Sequence, residues 1–288
     1  MYNSIFKDST LAETIESKGW GLIDFCSNDE VSFLKEKFFE LLPELDEMPV
    51  IITLLHNERK ITKKINDLIT QKLHSALEKH FIDYKIPIAL YFAKKSKEYN
   101  DVGIHQDPMI TDQAVSPSYG LWIPLVETTG QNGTLAVLEK SHKWFHPFQA
   151  DTVSSSLSDI GNELIEKCIT LNVKPGQAVI MDNRLVHYSH PNQSGEIRPC
   201  VVVKLTHKDA IYYTLYSKGG EIYLIKNNDD FYTSETWIVN KSAFPAGQIE
   251  GVLDFIPFAY SSNDLKEAES NNKTDIYQTK AITSWIKK

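Results

Sequence analysis

The sequence has only three cysteines, Cys26, Cys168 and Cys200, far apart and in no C-x-x-C pair. That count excludes a disulfide framework and a thiolate zinc site, and it fits buried thiols in a reducing compartment. No apolar run reaches the ~20 residues needed to cross a bilayer. The opening segment MYNSIFKDST lacks a basic stretch followed by an apolar one, so neither a membrane partner nor export is expected, and a cytoplasmic location is. No Lys/Arg stripe offsets the net charge of -8. Such a surface repels phosphate backbones, which argues against a nucleic-acid partner. Internal repeats and low-complexity tracts are also lacking.

What is present is the make-up of a globular protein, 42% hydrophobic and 24% charged over 288 residues. A closed or sandwiched β core often runs to this length as one unit. The expectation is a single domain over 1–288, mainly β, with a helical N-terminal layer (1–85), a β core (86–207) and a C-terminal extension (208–288). The first eighty residues read as helical. Asn28-Asp29-Glu30 offers a cap before Val31, Phe33, Leu34, Phe38, Leu41 and Leu42, a run that Pro43 closes. From Ile61 to Phe81 a second apolar face recurs at helical spacing.

From Ile86 the pattern changes. IPIALYFA, GLWIPLVE, GTLAVLE, CITLNV, QAVIMD and RPCVVVKLTH are short β-rich runs separated by turn signals, which favours a sandwich or barrel. The stretch from Ala150 to Lys167 reads as a loop plus a short helix covering one mouth of the barrel. Past His207, YYTLYSKGGEIYLIKN reads as a hairpin added late to the sheet, turning at Gly219-Gly220, and Ser261 to Lys273 as a surface loop or helix.

The segment GIHQD contains His105 and Asp107. On a strand, residues i and i+2 share a face, so both side chains can reach one metal. A third ligand, His187, lies downstream in DNRLVHYS. Two histidines and one carboxylate on one face of iron(II) leave three positions open. A bidentate 2-oxo acid takes two of them and O2 the third. The far carboxylate of 2-oxoglutarate then needs a cation, and Arg198, at the start of RPCVVVKL, offers a planar fork. Ser189 can donate a hydroxyl hydrogen bond to the same carboxylate.

Taken together, GIHQD, WIPLVETTGQNGTLAVLEKSHK and KPGQAVIMDNRLVHYSHPNQSGEIR resemble the phytanoyl-CoA dioxygenase family from about Ile86 to His207. Trp122, Asn132-Gly133 and Ser141-His142 fall where that family has matching residues. Lys140 and Tyr188 stand where glycine is usual. The resemblance implies a double-stranded β-helix (jelly-roll, cupin-like) core, iron(II), 2-oxoglutarate and hydroxylation of a small molecule, with release of succinate and CO2. It also suggests that Trp122 walls the cosubstrate pocket, ordinary core being the alternative.

His190 is the rival of His187; strand geometry and the family register favour His187. His142 and His146 read as half-buried histidines bonded to backbone, with a role near the site or substrate as the alternative. His56, His74 and His80 are expected to face solvent. The tyrosines 212, 213, 216, 223 and 232 read as bulky β-formers or as a pocket wall. Halogenation needs a halide in place of the carboxylate, and Asp107 fills that position. Desaturation, epoxidation and cyclisation use the same ligands and stay open. A non-catalytic jelly-roll binding protein would be expected to lack a ligand or the arginine, and a zinc enzyme would leave the arginine unexplained. The substrate stays open among acyl-CoA, amino acid, phosphonate and natural-product scaffolds, and so does the oligomeric state.

Overall fold

The computed structural model describes residues 4–42, 48–96, 100–242, 244–271 and 274–288. Eight strands make the core: β4 (Ala89–Lys94), β5 (Val102–His105), β6 (Tyr119–Pro124), β7 (Leu135–Val137), β8 (Ile169–Thr170), β9 (Gln177–Asp182), β10 (His187–Ser189) and β11 (Arg198–His207). All six β-rich runs of the sequence fall on these strands. One antiparallel sheet carries the order β9-β6-β11-β4 and the other β5-β10-β7-β8. The chain changes sheet after every strand except at the β7–β8 hairpin, which is the connectivity of an eight-stranded jelly roll.

The first sheet is extended by three short strands, two of which lie within residues 1–80, read as helical. Strand β1 (Trp20–Asp24) pairs with β9, and β2 (Val50–Ile52) with β4; a two-residue strand, β3 (Tyr84–Lys85), pairs with the end of β11. At five residues or fewer, these strands show too little alternation to register as a period.

Helices cover the outer face of that sheet. They are α1 (Ser9–Lys18), α2 (Asn28–Leu41), α3 (Arg59–Lys72) and α4 (His74–His80). Helix α2 begins one residue earlier than expected, because Ser27 is the cap: Ser27 and Glu30 form a reciprocal capping box. Val31, Leu34 and Phe38 are its buried stripe; Pro43, the expected terminator, lies outside the described residues. The single helix expected over 61–81 is two, divided at Leu73, whose ψ of 4° leaves the helical range without any Gly or Pro to signal it. His74 is exposed as expected, but His56 and His80 are half-buried.

Alternation along β11 assigns its two faces. Val201, Val203 and Leu205 join the helical layer in one core with Tyr91, Leu121, Ile123 and Ile180. Cys200 and Val202 face inward and pack with Trp122, Val179 and Met181 against Leu135, Val137 and Leu185 of the opposite layer. Trp122, Leu135, Met181 and Val202 of this inner core also line a cavity between the sheets.

Of the Ala150–Lys167 segment, expected to cover the mouth, Ala150 and Asp151 line the cavity and the remainder does not. Its helix, α5 (Gly161–Lys167), lies behind the second sheet, where Leu157, Ile160 and Leu164 pack with Ile104. Strand alternation explains this: Ile104 points out from β5 as its neighbour His105 points in.

The 208–288 extension is also not a late addition to the core sheet. Strands β12 (Tyr212–Lys218), β13 (Glu221–Asn227) and β14 (Gln248–Val252) form a separate three-stranded sheet. The hairpin does turn at Gly219-Gly220, both at positive φ (62° and 82°), as a tight two-residue turn requires. The short helix α6 (Phe231–Ser234) and the turn Thr236–Ile238 follow it, and the polar stretch expected near Ser261 forms α7 (Ser262–Asn271).

Candidate metal centre

Strand β5 ends at His105, so Asp107 is not on the strand as the i, i+2 argument assumed. It sits two residues into the following loop, where its backbone N–H donates to the Asn183 carbonyl at 3.1 Å. The return of the chain at Asn183 therefore places the carboxylate. His187 arrives opposite His105 through the β10–β5 register. The two imidazole rings lie 4.3 Å apart, and the ligand atoms of His105, Asp107 and His187 all fall within 4.8 Å of one another.

Both histidines are fixed in one tautomer. The Nδ1 of His105 lies 2.7 Å from the Gly103 carbonyl, and that of His187 2.9 Å from the Leu185 carbonyl. A carbonyl only accepts, so each Nδ1 carries the proton and each Nε2 presents its lone pair inward. Burial, with a smaller contribution from His105, lowers the His187 pKa to about 4, which keeps its ring neutral. Burial would raise the Asp107 carboxyl, but the charge of its neighbours, the Lys204 ammonium foremost, outweighs it and holds Asp107 below the usual carboxylate range.

Lys204 is the site residue that sequence reasoning missed. Its Nζ lies 2.5 Å from Asp107 Oδ2 and 2.8 Å from Asn183 Oδ1. The other oxygen, Oδ1, is the one that faces His105 Nε2, at 4.0 Å. One oxygen is thus engaged by an ammonium and one is turned toward the imidazoles. Gly120 stands opposite Lys204 in the β11–β6 register, and a Cβ there would come within 3.0 Å of Nζ. The available signal was the even spacing from Arg198 along a strand, which puts 198, 200, 202 and 204 on one face.

Arg198 is 1% exposed, and its Nη1 lies 3.0 Å from Cys200 Sγ. The guanidinium carbon sits 5.4 Å from the Trp122 ring and 5.8 Å from that of Phe92. Its Nε and Nη2 are buried without a protein partner. An arginine so placed is costly unless an acceptor meets it. Arg198, Ser189 and Trp122 line the same cavity of about 340 Å³ as His105, Asp107 and His187. The structure thus brings His105, Asp107, Trp122, His187, Ser189 and Arg198 to one cavity.

His190 is not part of the cluster. Its Nε2 is 2.9 Å from Thr170 Oγ1 and 3.3 Å from Tyr188 Oη, on the half-exposed side of β10. Tyr188 pairs in register with Ala136 and needs no positive φ, so β10 accepts it in place of the usual glycine. Lys140, the other departure, does occupy a glycine-like conformation, with φ at 68°. Gly133 needs its own, because at φ 87° a Cβ would approach the His190 carbonyl to 3.0 Å.

His142 and His146 are fully buried rather than half-buried, and neither lines the cavity. His142 Nε2 is 2.9 Å from the Glu16 carbonyl, and His146 Nδ1 accepts from the Phe148 N–H at 3.2 Å. Packed among Phe148, Phe255, Phe258 and Tyr260, the His146 ring has its pKa lowered by burial to about 4. The unfolded chain takes up this proton near pH 6.5 and the folded chain near 4. The contribution to stability is therefore complete above about pH 6.5 and is lost as pH falls toward 4. The slope is at most about 1.4 kcal/mol per pH unit. Urea unfolding of the metal-free protein between pH 4.5 and 7 should show this slope. His146→Phe should remove its share, up to about 1.4 kcal/mol per pH unit, from a slope to which His187, also lowered to about 4, contributes as well; an unchanged slope would assign the effect to other groups.

Of the three cysteines only Cys200 is fully buried; Cys26 and Cys168 are half-buried, and all are free thiols. Among the described residues no helix is long and apolar enough to cross a membrane.

Fold and site together define a jelly-roll protein with a two-histidine, one-carboxylate cluster beside a buried arginine. The sequence profile of the phytanoyl-CoA dioxygenase (PhyH) family matches residues 34–200. That is more than half of the chain, and the chain belongs to this family. A curated relative, the phytanoyl-CoA dioxygenase domain-containing protein 1 homolog of Dictyostelium discoideum, is 25% identical over 176 residues. The match covers 57% of this chain and 58% of that relative, so the chain spans less than two thirds of the relative's length.

Two solved structures share the fold. The non-heme alpha-ketoglutarate-dependent epimerase SnoN from nogalamycin biosynthesis aligns with a TM-score of 0.53 at 13% identity, over 89% of this chain and 93% of its own. The carbocyclase SnoK of the same biosynthesis aligns with a TM-score of 0.52 at 15% identity, over 71% of this chain and 86% of its own.

Proposed function

We propose that this protein is an iron(II)- and 2-oxoglutarate-dependent oxygenase of one domain that hydroxylates a small molecule. The observation that carries the reading is the pairing of two features in one cavity. One is a cluster of inward Nε2 lone pairs with a carboxylate; the other is a buried guanidinium with two donors lacking a protein partner. The donor set suits iron(II): imidazole and carboxylate on one face, with no thiolate. The guanidinium suits the far carboxylate of a 2-oxo diacid.

His105, Asp107 and His187 would hold the metal, and Arg198, with Ser189 and Trp122 beside it, the cosubstrate. When bound, the iron and 2-oxoglutarate supply activation of O2 coupled to decarboxylation, leaving succinate and CO2. The chain's own part is positional. The Gly103 and Leu185 carbonyls keep the imidazoles in the ligating tautomer. Lys204 engages one Asp107 oxygen and leaves the other to the metal.

Anaerobic protein with saturating iron(II) and 2-oxoglutarate should develop a visible metal-to-ligand charge-transfer band. Succinate release stimulated by an added metabolite should then separate an oxygenase from a binding protein of the same fold. If the band does not form, the proposed chelate is wrong.

A further inference from the structure

The cavity continues outward from the metal cluster, and its outer wall comes from two segments that the β core does not supply. One is the 52–55 turn, with Ile52, Leu54 and Leu55. The other is the C-terminal extension, with Leu215, Phe231, Tyr232, Trp237 and Ile238. The C-terminal residues lie beyond the family match, which ends at residue 200. The wall is built rather than draped. Arg59 on α3 donates from Nη1 to the Leu54 carbonyl at 2.7 Å and from Nη2 to the Tyr232 carbonyl at 2.5 Å, tying the two segments together. Phe231, Trp237 and Ile238 form one buried cluster with Tyr216 and Ile225, and Leu54 packs against it.

Two polar side chains along this wall, Thr214 and Asp151, are already engaged. Thr214 Oγ1 accepts from Asn227 Nδ2 at 2.7 Å, and Asp151 at the rim pairs with Lys241. Among the described residues lining the cavity, the Lys and Arg side chains are Arg198 and Lys204 alone. The first is assigned above to the cosubstrate and the second is held by Asp107 and Asn183. An anion entering the outer cavity would lose its hydration without meeting an uncommitted cation, which is costly. The total volume, about 340 Å³, lies at the low end of the ~300–1,000 Å³ range of ligand pockets and has to hold the 2-oxo acid as well.

We infer that the outer cavity binds the reacting part of the substrate, and that this part is neutral, apolar and compact: an alicyclic or aromatic ring, or a short branched hydrocarbon. The assignment to substrate rests on the function proposed above; the chemistry of the wall does not. Charged metabolites, whether zwitterionic amino acids, phosphonates or short carboxylates, do not suit this wall.

A matched pair of fluorescent probes tests the chemistry directly. N-phenyl-1-naphthylamine is neutral, and its 8-sulfonate is the same skeleton with one negative charge. With saturating 2-oxoglutarate present to occupy Arg198, the 288-residue chain should bind the neutral probe at least tenfold more tightly. Leu54→Trp, at a half-buried position on the wall, should weaken the neutral probe at least tenfold. Leu55→Trp, at a more exposed position of the same turn, gives the same comparison should Leu54→Trp fail to fold. Equal or tighter binding of the sulfonate, no binding of the neutral probe, or tryptophan variants without effect would overturn the inference. The iron and 2-oxoglutarate band is read separately. A band with reversed probe preference refutes the substrate class alone. Probe preference without a band refutes the oxygenase and leaves a pocket for a neutral ligand.

Discussion

Arg198→Ala should weaken 2-oxoglutarate binding by more than a hundredfold. The guanidinium is 1% exposed, flanked by Trp122 and Phe92, and two of its nitrogens have no protein acceptor. A dianion bound there is paired in a region that excludes water. Removing one member of a buried charged pair costs about 3–5 kcal/mol, and ~1.4 kcal/mol is tenfold in affinity. Arg198→Lys should recover only part of this, since an ammonium cannot reproduce the two-pronged contact. Iron binding without cosubstrate should barely change, because Arg198 does not belong to the His105, Asp107, His187 cluster. Titrating each variant with 2-oxoglutarate, following the charge-transfer band or uncoupled succinate, separates these outcomes. An unchanged affinity in Arg198→Ala would remove the residue from the site.

The second large effect concerns the two histidines three residues apart. His187→Ala should lose iron-dependent turnover by roughly a hundredfold or more, since even groups that only support a metal ligand are worth about 10–100-fold. His190→Ala should keep most of it. The reason is geometric: His187 Nε2 faces the cluster while its Nδ1 is held by the Leu185 carbonyl. His190 is instead bonded to Thr170 on the other side of the strand. Metal content and turnover of both variants decide the matter, and the reverse pattern would overturn the assignment of Ser189 as well.

Much of this was legible along the chain because it depends on local periods. The six β-rich runs are strands, since branched and aromatic residues between turn signals specify a strand without outside help. His105, Asp107, His187, Ser189 and Arg198 could be named because ligating residue types in a fixed order, on alternating strands, restrict which faces they occupy. The α2 stripe Val31, Leu34, Phe38 was readable for the same reason, at the helical period.

What only the tertiary structure decided involves contacts between distant parts of the chain. Asp107 is placed by the Asn183 carbonyl rather than by its own strand, and Lys204 meets Asp107 across 97 residues. Even spacing from Arg198 puts Lys204 on the inward face, but nothing local names its partner; the fold supplies Asp107 by closing one sheet over the other. The same holds for the outer cavity. Leu54 and Tyr232 become neighbours in one wall because Arg59 holds both backbones, and residue spacing carries no record of that. Strand geometry, being periodic, let the sequence alone put His105, His187 and Arg198 on shared inward faces. The depth of the cavity, the committed charges within it and the elements that wall it were decided by how the sheets and the C-terminal extension pack, which depends on long-range burial.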